Sequence, residues 1–130
     1  MERVLFKDRY PVFKQALEKG ECRFGTVDAI VAYLKERIET HPVATYIATF
    51  DHYAHTSSLP EGEIDEEIVS AKNIIFCFGK ELATPDVLAV RPRSIGVCEL
   101  KDRFVVVTME APNPQANDAM RSWIESLGAG

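Results

Sequence analysis

The spacing of apolar residues changes along the chain, and each spacing predicts a different element. The clearest helical stripe recurs every three or four positions after Gly25 and consists of Val27, Ile30, Val31, Leu34 and Ile38. Thr26 predicts the N-cap of this helix, because its hydroxyl can accept a hydrogen bond from a free backbone N–H. His41-Pro42 predicts the helix end, because the residue before a proline is pushed out of the helical region.

Four later stretches have the pattern of β-strands. Residues 43–50 are β-branched and aromatic with alternating faces, and residues 73–79 are apolar on both faces, as in a central strand. Residues 95–100 and 104–109 flank the short break Lys101-Asp102 and predict a hairpin. Between these strands we expect a loop over 51–62, a short helix over 63–71 and one helical turn over 84–88.

The two ends of the chain complete the predicted fold. Residues 1–10 indicate a polar and aromatic lead-in. Residues 11–24 fit a helix beginning at Pro11, but the alternation of Phe13, Gln15 and Leu17 with their neighbours favours a strand. Asn113 predicts the N-cap of a last helix, with Pro114 at its first position and Gly128 at its end. Its inner face consists of Ala116, Met120, Trp123, Ile124 and Leu127.

These elements predict one α+β domain over residues 1–130. The order is strand, helix, four strands and helix, and the short connections between the later strands favour antiparallel pairing. We therefore expect a two-layer domain, in which two main helices pack on a mainly antiparallel sheet of about five strands. At 130 residues, the chain is long enough to bury a core without a metal or a disulfide.

Composition narrows the classes of partner. The formal net charge of −5 argues against nucleic acid and anionic membranes as partners, since both attract basic patches. No apolar run approaches the roughly 20 residues of a membrane helix, and the N-terminus lacks the pattern of a secretory signal. Cys22, Cys77 and Cys98 show no Cys-x-x-Cys spacing, which favours reduced thiols in a cytoplasmic protein.

The first candidate site is the cluster Asp51, His52 and His55. Imidazole is a common metal ligand and a general base near neutral pH. On a strand the two histidines would point to opposite faces, so a shared metal requires a turn between them and a further ligand such as Cys77. Three interpretations stay open: loop histidines bonded to backbone or water, a metal or haem contact, and an acid/base or ligand-binding role.

The second candidate site is a basic group of Lys80, Arg91 and Arg93. Arginine can bind a carboxylate or phosphate through two parallel hydrogen bonds. The chain has no Gly-x-x-x-x-Gly-Lys pattern, which excludes a P-loop nucleotide site. The alternative is a set of surface arginines paired with Asp86, Glu81 or Glu99, where each exposed pair stabilises little.

Several short motifs resemble a bacterial family known as domain of unknown function 302, or a narrower relative of it. They are Phe24-x-Thr26-Val27, Phe50-Asp51-His52, Ile75-Phe76-x-Phe78-Gly79-Lys80 and the stretch 88–92 before the hairpin. The resemblance covers about residues 12–111. It implies a small α+β domain with an antiparallel sheet and is compatible with dimers. Lys80-Glu81 departs from the Asn-Pro that usually follows Phe-Gly in that family.

The leading hypothesis is a cytoplasmic, non-enzymatic homodimer that binds a small ligand or a partner near the two candidate sites. The alternative is an enzyme, or a metal- or haem-binding protein, that uses His52 and His55. A third possibility is an interaction module with an exposed apolar sheet face or edge strand. No motif identifies a cofactor or a reaction.

Overall fold

The computed structural model describes residues 1–129. All six strands in this part of the chain belong to one antiparallel sheet. The strands are β1 (Glu2–Phe6), β2 (Tyr10–Glu18), β3 (Thr45–Phe50), β4 (Ile68–Cys77), β5 (Arg93–Leu100) and β6 (Arg103–Met109). The α-helices are α1 (Val27–Thr40), α2 (His52–Ser58) and α3 (Pro114–Glu125), and Lys19–Glu21 and Pro85–Val90 form short 3-10 helices. The order across the sheet is β1-β2-β6-β5-β4-β3.

The α+β class is confirmed, but the count of about five strands was one too low. The missed strand is β1, which the sequence indicated only as a polar lead-in. It pairs with β2 through a tight turn in which Lys7 and Asp8 have φ values of 53° and 59°. That backbone region favours glycine and asparagine, so the turn lacks the usual hairpin signal.

The helices α1 and α3 contribute their apolar stripes to one core on one face of the sheet. Every residue of both predicted stripes is buried, and Ile30, Leu34, Met120 and Ile124 are fully so. The predicted caps are also confirmed, since Thr26 accepts from the Ala29 N–H and Asn113 from the N–H groups of two residues in the first turn of α3. The prediction that Gly128 ends the last helix was wrong by a few residues, because α3 ends at Glu125.

Residues 51–71 differ from the sequence prediction. The predicted loop contains α2, whose N-cap Asp51 accepts from the Ala54 N–H at 2.9 Å. The predicted helix over 63–71 is wrong, because β4 begins at Ile68, where it pairs with Leu100 of β5. The acidic residues before it form a turn, in which Asp65 accepts from the Glu67 N–H. No helix within residues 1–129 is long and apolar enough to cross a membrane.

The second face of the sheet carries no helix from the described part of the chain except α2 at one corner. We call it the open face and define it by the side chains of the five strands β2 to β6 that point away from α1 and α3. They include Ala71, Ile75, Cys98, Val105 and Val107, all of which are half-buried by their neighbours. The face also holds Asn73, which donates to Ser94 Oγ at 3.0 Å, and Lys14 beside Val107, but it is more apolar than the uncovered face of an antiparallel sheet usually is.

Candidate functional site

A large concave site lies at the end of the sheet where β4 and β6 end and β5 begins. The 3-10 helix Pro85–Val90 forms one side and the first turn of α3 the other, and together they enclose a cavity of about 640 Å³. We call it the arginine groove. Its lining residues are Phe78, Val87, Val90, Arg91, Arg93, Ala111, Pro112, Asn113, Pro114, Gln115 and Ala116.

Arg93 is built into the wall of the groove at the first position of β5. Its guanidinium donates to the carbonyl of Val90 at 3.2 Å and to the carbonyl of Met109, which ties the 3-10 helix to the end of β6. Its Nε is buried and has no partner. Burial lowers the pKa of Arg93, although a guanidinium stays protonated in proteins. The groove therefore holds a fixed positive charge with unused donors, one of which, Nε, is buried.

Arg91 is the second positive charge of the groove and is less fully engaged. It is half-buried, and its guanidinium donates to the backbone carbonyl of Glu81. A guanidinium carries five N–H donors, so this bond leaves most of them available to a ligand. Within residues 1–129 neither Arg91 nor Arg93 forms an ion pair with a carboxylate, contrary to the alternative of paired surface arginines.

The start of α3 forms a rigid wall of the groove. Asn113 accepts from the N–H groups of Gln115 and Ala116, at 2.8 and 3.4 Å. Asn117 exchanges two hydrogen bonds with the backbone of Ala111, at 2.7 and 2.8 Å. Because its own side chains satisfy these backbone groups, the helix N-terminus fixes the shape of the groove and the arginines supply the charge.

A second depression, of about 600 Å³, adjoins the groove and shares Arg93 with it. Its acidic residue is Glu110, which accepts two hydrogen bonds from Arg3 of β1, at 3.1 and 3.2 Å. The hydrogen bond from Arg3 lowers the pKa of Glu110 and keeps the carboxylate ionised but neutralised by its partner. The charges of Arg91 and Arg93 are therefore not compensated from this side.

The histidine cluster lies on α2, at the opposite end of β4. His52 and His55 flank the ring of Phe50, with centroid distances of 5.4 and 5.6 Å. Asp51 is the helix N-cap, which gives it a structural role. A smaller cavity of about 170 Å³ is lined by His52 but not by His55.

The predicted site residues therefore do not form one site: the Asp51 cluster lies at α2, Arg91 and Arg93 line the groove, and Cys77 and Lys80 belong to neither group. Asn73 of β4 pairs with Phe50 beside α2, whereas Cys77 pairs with Thr45, about 13 Å further along the strand. The structure thus does not bring Cys77 to His52 and His55, and within residues 1–129 no three His, Cys, Asp or Glu side chains are placed to hold a metal. Lys80 is exposed on the loop after β4 and does not line the arginine groove.

The sequence indicated neither the apolar walls of the groove nor the role of His41. The Nδ1 atom of His41 accepts from the N–H groups of Val43 and Ala44, at 3.1 and 3.2 Å. Its ring also meets Phe78 and Trp123 edge to face. These contacts make His41 the support of the Phe78 wall, and only the tertiary fold reveals them.

Lys72 connects α2 to the rest of the fold. Its ammonium lies 2.7 Å from Asp28 in the first turn of α1 and 3.9 Å from Asp51. The hydrogen bond to Asp28 raises the pKa of Lys72 above its ordinary value. The folded state therefore binds this proton more tightly than the unfolded state does.

We expect this linkage to appear at alkaline pH. The stabilisation is fully present below the ordinary lysine pKa of about 10.4 and is lost as pH rises through the raised pKa. The free energy of unfolding of the wild type should therefore fall more steeply above about pH 10.4 than that of Asp28→Asn. Urea titrations at stepped pH measure both curves, and parallel curves would contradict the linkage.

A model described as "Family of unknown function (DUF6858)" matches residues 1–129. This match corrects the resemblance to domain of unknown function 302, which is a different family and rested on motifs of only three to six residues. No curated protein and no solved structure matches the chain. The function must therefore be inferred from the geometry of the chain itself.

Proposed function

The chain belongs to the DUF6858 family of unknown function, and from the geometry of the arginine groove we propose that it is a non-enzymatic binding domain for a small molecule. The ligand combines an apolar body with one anionic group, such as a carboxylate, a sulfonate or a phosphate. We further propose that the domain acts as a homodimer in the cytoplasm.

The volume and the walls of the groove support the proposal that the ligand has an apolar body. Ligand pockets commonly have volumes of about 300–1,000 Å³ and mostly apolar walls with a few polar groups. The groove has about 640 Å³, and Phe78, Val87 and Val90 supply apolar walls. Phe78 is held by stacking on Trp123, with planes 12° apart, so the wall is preorganised.

The two arginines support the proposal for the anionic group. Their side chains make hydrogen bonds to backbone carbonyls, so the positive charges are positioned without being neutralised. A charge next to apolar walls interacts more strongly than one in bulk water, because the local dielectric constant is lower. In this proposal Arg91 binds the anion with its unused donors, and Arg93 adds charge and holds the wall.

Two further observations support the homodimer and the cytoplasmic location. The open face is apolar and lacks a covering layer within the described residues, which favours association with another molecule. The three cysteines are free thiols, which suits a reducing compartment.

Binding of 8-anilinonaphthalene-1-sulfonate tests the ligand proposal, because this fluorescent probe has an apolar body and one anionic group. We expect the probe to bind the wild type and Arg91→Gln to raise its Kd about tenfold, which corresponds to one lost charge-assisted hydrogen bond. The neutral relative N-phenyl-1-naphthylamine should bind both proteins equally. Fluorescence titration measures all four affinities.

Arg37→Gln is the matched control, because Arg37 is exposed on α1, away from the groove, and the substitution removes the same charge. Its affinity for both probes should equal that of the wild type. If Arg91→Gln and Arg37→Gln bind the anionic probe equally, Arg91 does not recognise the anion and the proposal fails.

A further inference from the structure

We propose that the open face is the surface through which two copies of this chain associate, with sheet packed on sheet. The inference rests on the homodimer proposed above and names the surface that forms it.

The composition of the face matches a buried layer. On β6, Val105 and Val107 point to the open face, and Val106 between them is fully buried in the core. The strand is therefore apolar on both sides, a pattern typical of strands that are covered on both faces. Inside residues 1–129 α1 and α3 supply one covering layer, and α2 reaches only the corner near Ala71.

The side chains in the middle of the face are mostly small, and Asn73 also lies beside Gly96. Gly96 of β5 pairs with Val107, and a methyl group at Gly96 would lie 3.3 Å from Val107 Cγ2, so the valine leans across the glycine. Cys98 and Ala71 beside it are also small. Flat apolar sheet faces pack on each other in β-sandwiches, and a two-fold axis places the same residues on both sides.

The charged side chains on the open face lie on β2 and at the start of β6, and one of them, Lys14, is the neighbour of Val107. In the strand register Lys14 is opposite Glu2 of β1, and Glu18 is opposite Arg103 of β6. The described residues on this side of β4 and β5 include no charged side chain. A second copy can therefore cover β4 and β5 without burying a charge, and the ammonium group of Lys14 has to reach water along its flexible stem, because burying it unpaired would be costly.

The area is sufficient for a dimer. Five strands about 4.8 Å apart, each about seven residues long, cover roughly 24 by 23 Å, or about 550 Å² per copy. Two copies bury about 1,100 Å² in this way, just above the approximately 1,000 Å² expected of a biological interface. A second copy of this chain therefore fits the face in size.

Sedimentation velocity over a wide range of protein concentration tests the inference with Val107→Lys. A lysine at this position faces water in a monomer but is buried in the proposed dimer. We expect the wild type to sediment as a dimer and Val107→Lys as a folded monomer, with circular dichroism reporting the fold. Ala32→Lys, which adds the same charge on the exposed side of α1, should remain a dimer.

The outcomes separate the surface from the homodimer. A folded Val107→Lys that still dimerises overturns the open face as the interface and leaves the homodimer standing. A wild type that is monomeric throughout overturns both and assigns the face to another partner, while the ligand proposal is unaffected.

Cys98 provides a second test in the unmodified protein, which remains available if Val107→Lys fails to fold. Its thiol lies on the open face, so we expect modification by N-ethylmaleimide, followed by mass spectrometry of the Cys98 peptide, to slow as the protein concentration rises. A rate that does not depend on concentration, in samples shown to contain dimer, overturns the inference.

Discussion

Trp123→Ala is expected to lower the free energy of unfolding by about 3–5 kcal/mol, the usual cost of removing a large aromatic side chain from a core. Trp123 is only 3% exposed and meets the rings of Phe76 and Phe78 at 5.7 and 5.8 Å. Its removal leaves a cavity between α3 and β4 at the inner end of the arginine groove. Urea denaturation followed by circular dichroism measures the loss, since the fluorescence of the only tryptophan disappears with the substitution.

The same substitution should weaken ligand binding, because Trp123 holds the Phe78 wall. Affinity for the neutral probe should fall together with that for the anionic probe, in contrast to Arg91→Gln. Trp123→Phe is the control, because it keeps an aromatic ring against Phe76 and Phe78 and should retain part of the stability and the affinity. A loss below about 1 kcal/mol for Trp123→Ala would show that this ring is not packed in the core.

The helices α1 and α3 were predictable because their signals are local. In each, an apolar stripe at helical spacing follows a capping side chain, Thr26 or Asn113, and both caps form as expected. Burial of the stripe and capping of the first turn act within a few residues, so the sequence contains both. The β5–β6 hairpin was predictable for the same reason, since its two strands are separated only by Lys101 and Asp102.

The helix α2 and the start of β4 were missed because the local sequence signals for both are weak. The helix α2 has only seven residues and buries none of them fully, so it has no apolar stripe that would reveal it. Ile68 suited the stripe of a short helix, but pairing with Leu100 across the sheet places it in β4. At Ile68, long-range strand pairing overrides a weak local preference for a helix.

The arginine groove could be anticipated only in part. Arg91 and Arg93 were identified from their side-chain chemistry. The apolar walls come from segments separated by up to about forty residues, and no motif connects Phe78 with Ala116. For the histidines, closeness in sequence was misleading. His52 and His55 pack around Phe50, away from the groove. A local concentration of reactive side chains therefore did not coincide with the arginine groove.

Arg93→Met is expected to lower both stability and ligand affinity. The substitution leaves the carbonyls of Val90 and Met109 without the donor that now joins them. Each hydrogen bond contributes about 0.5–1.5 kcal/mol net, so we expect the loss of two to lower the free energy of unfolding by about 1–3 kcal/mol. Without this tie the 3-10 helix loses its connection to β6, and the Kd for 8-anilinonaphthalene-1-sulfonate should rise at least tenfold.

Two further variants separate the structural role of Arg93 from its charge. Arg93→Lys keeps the charge but replaces a planar fork with a single ammonium, which cannot reproduce the geometry of the bonds to both carbonyls. Compared with Arg93→Met, it should therefore restore more of the affinity for the anionic probe than of the free energy of unfolding. Arg91 donates to only one loop carbonyl, so Arg91→Met should lower the stability less than Arg93→Met does. Equal losses of stability for these two methionine variants would contradict the role assigned to Arg93, because only that residue joins two elements of the fold around the groove.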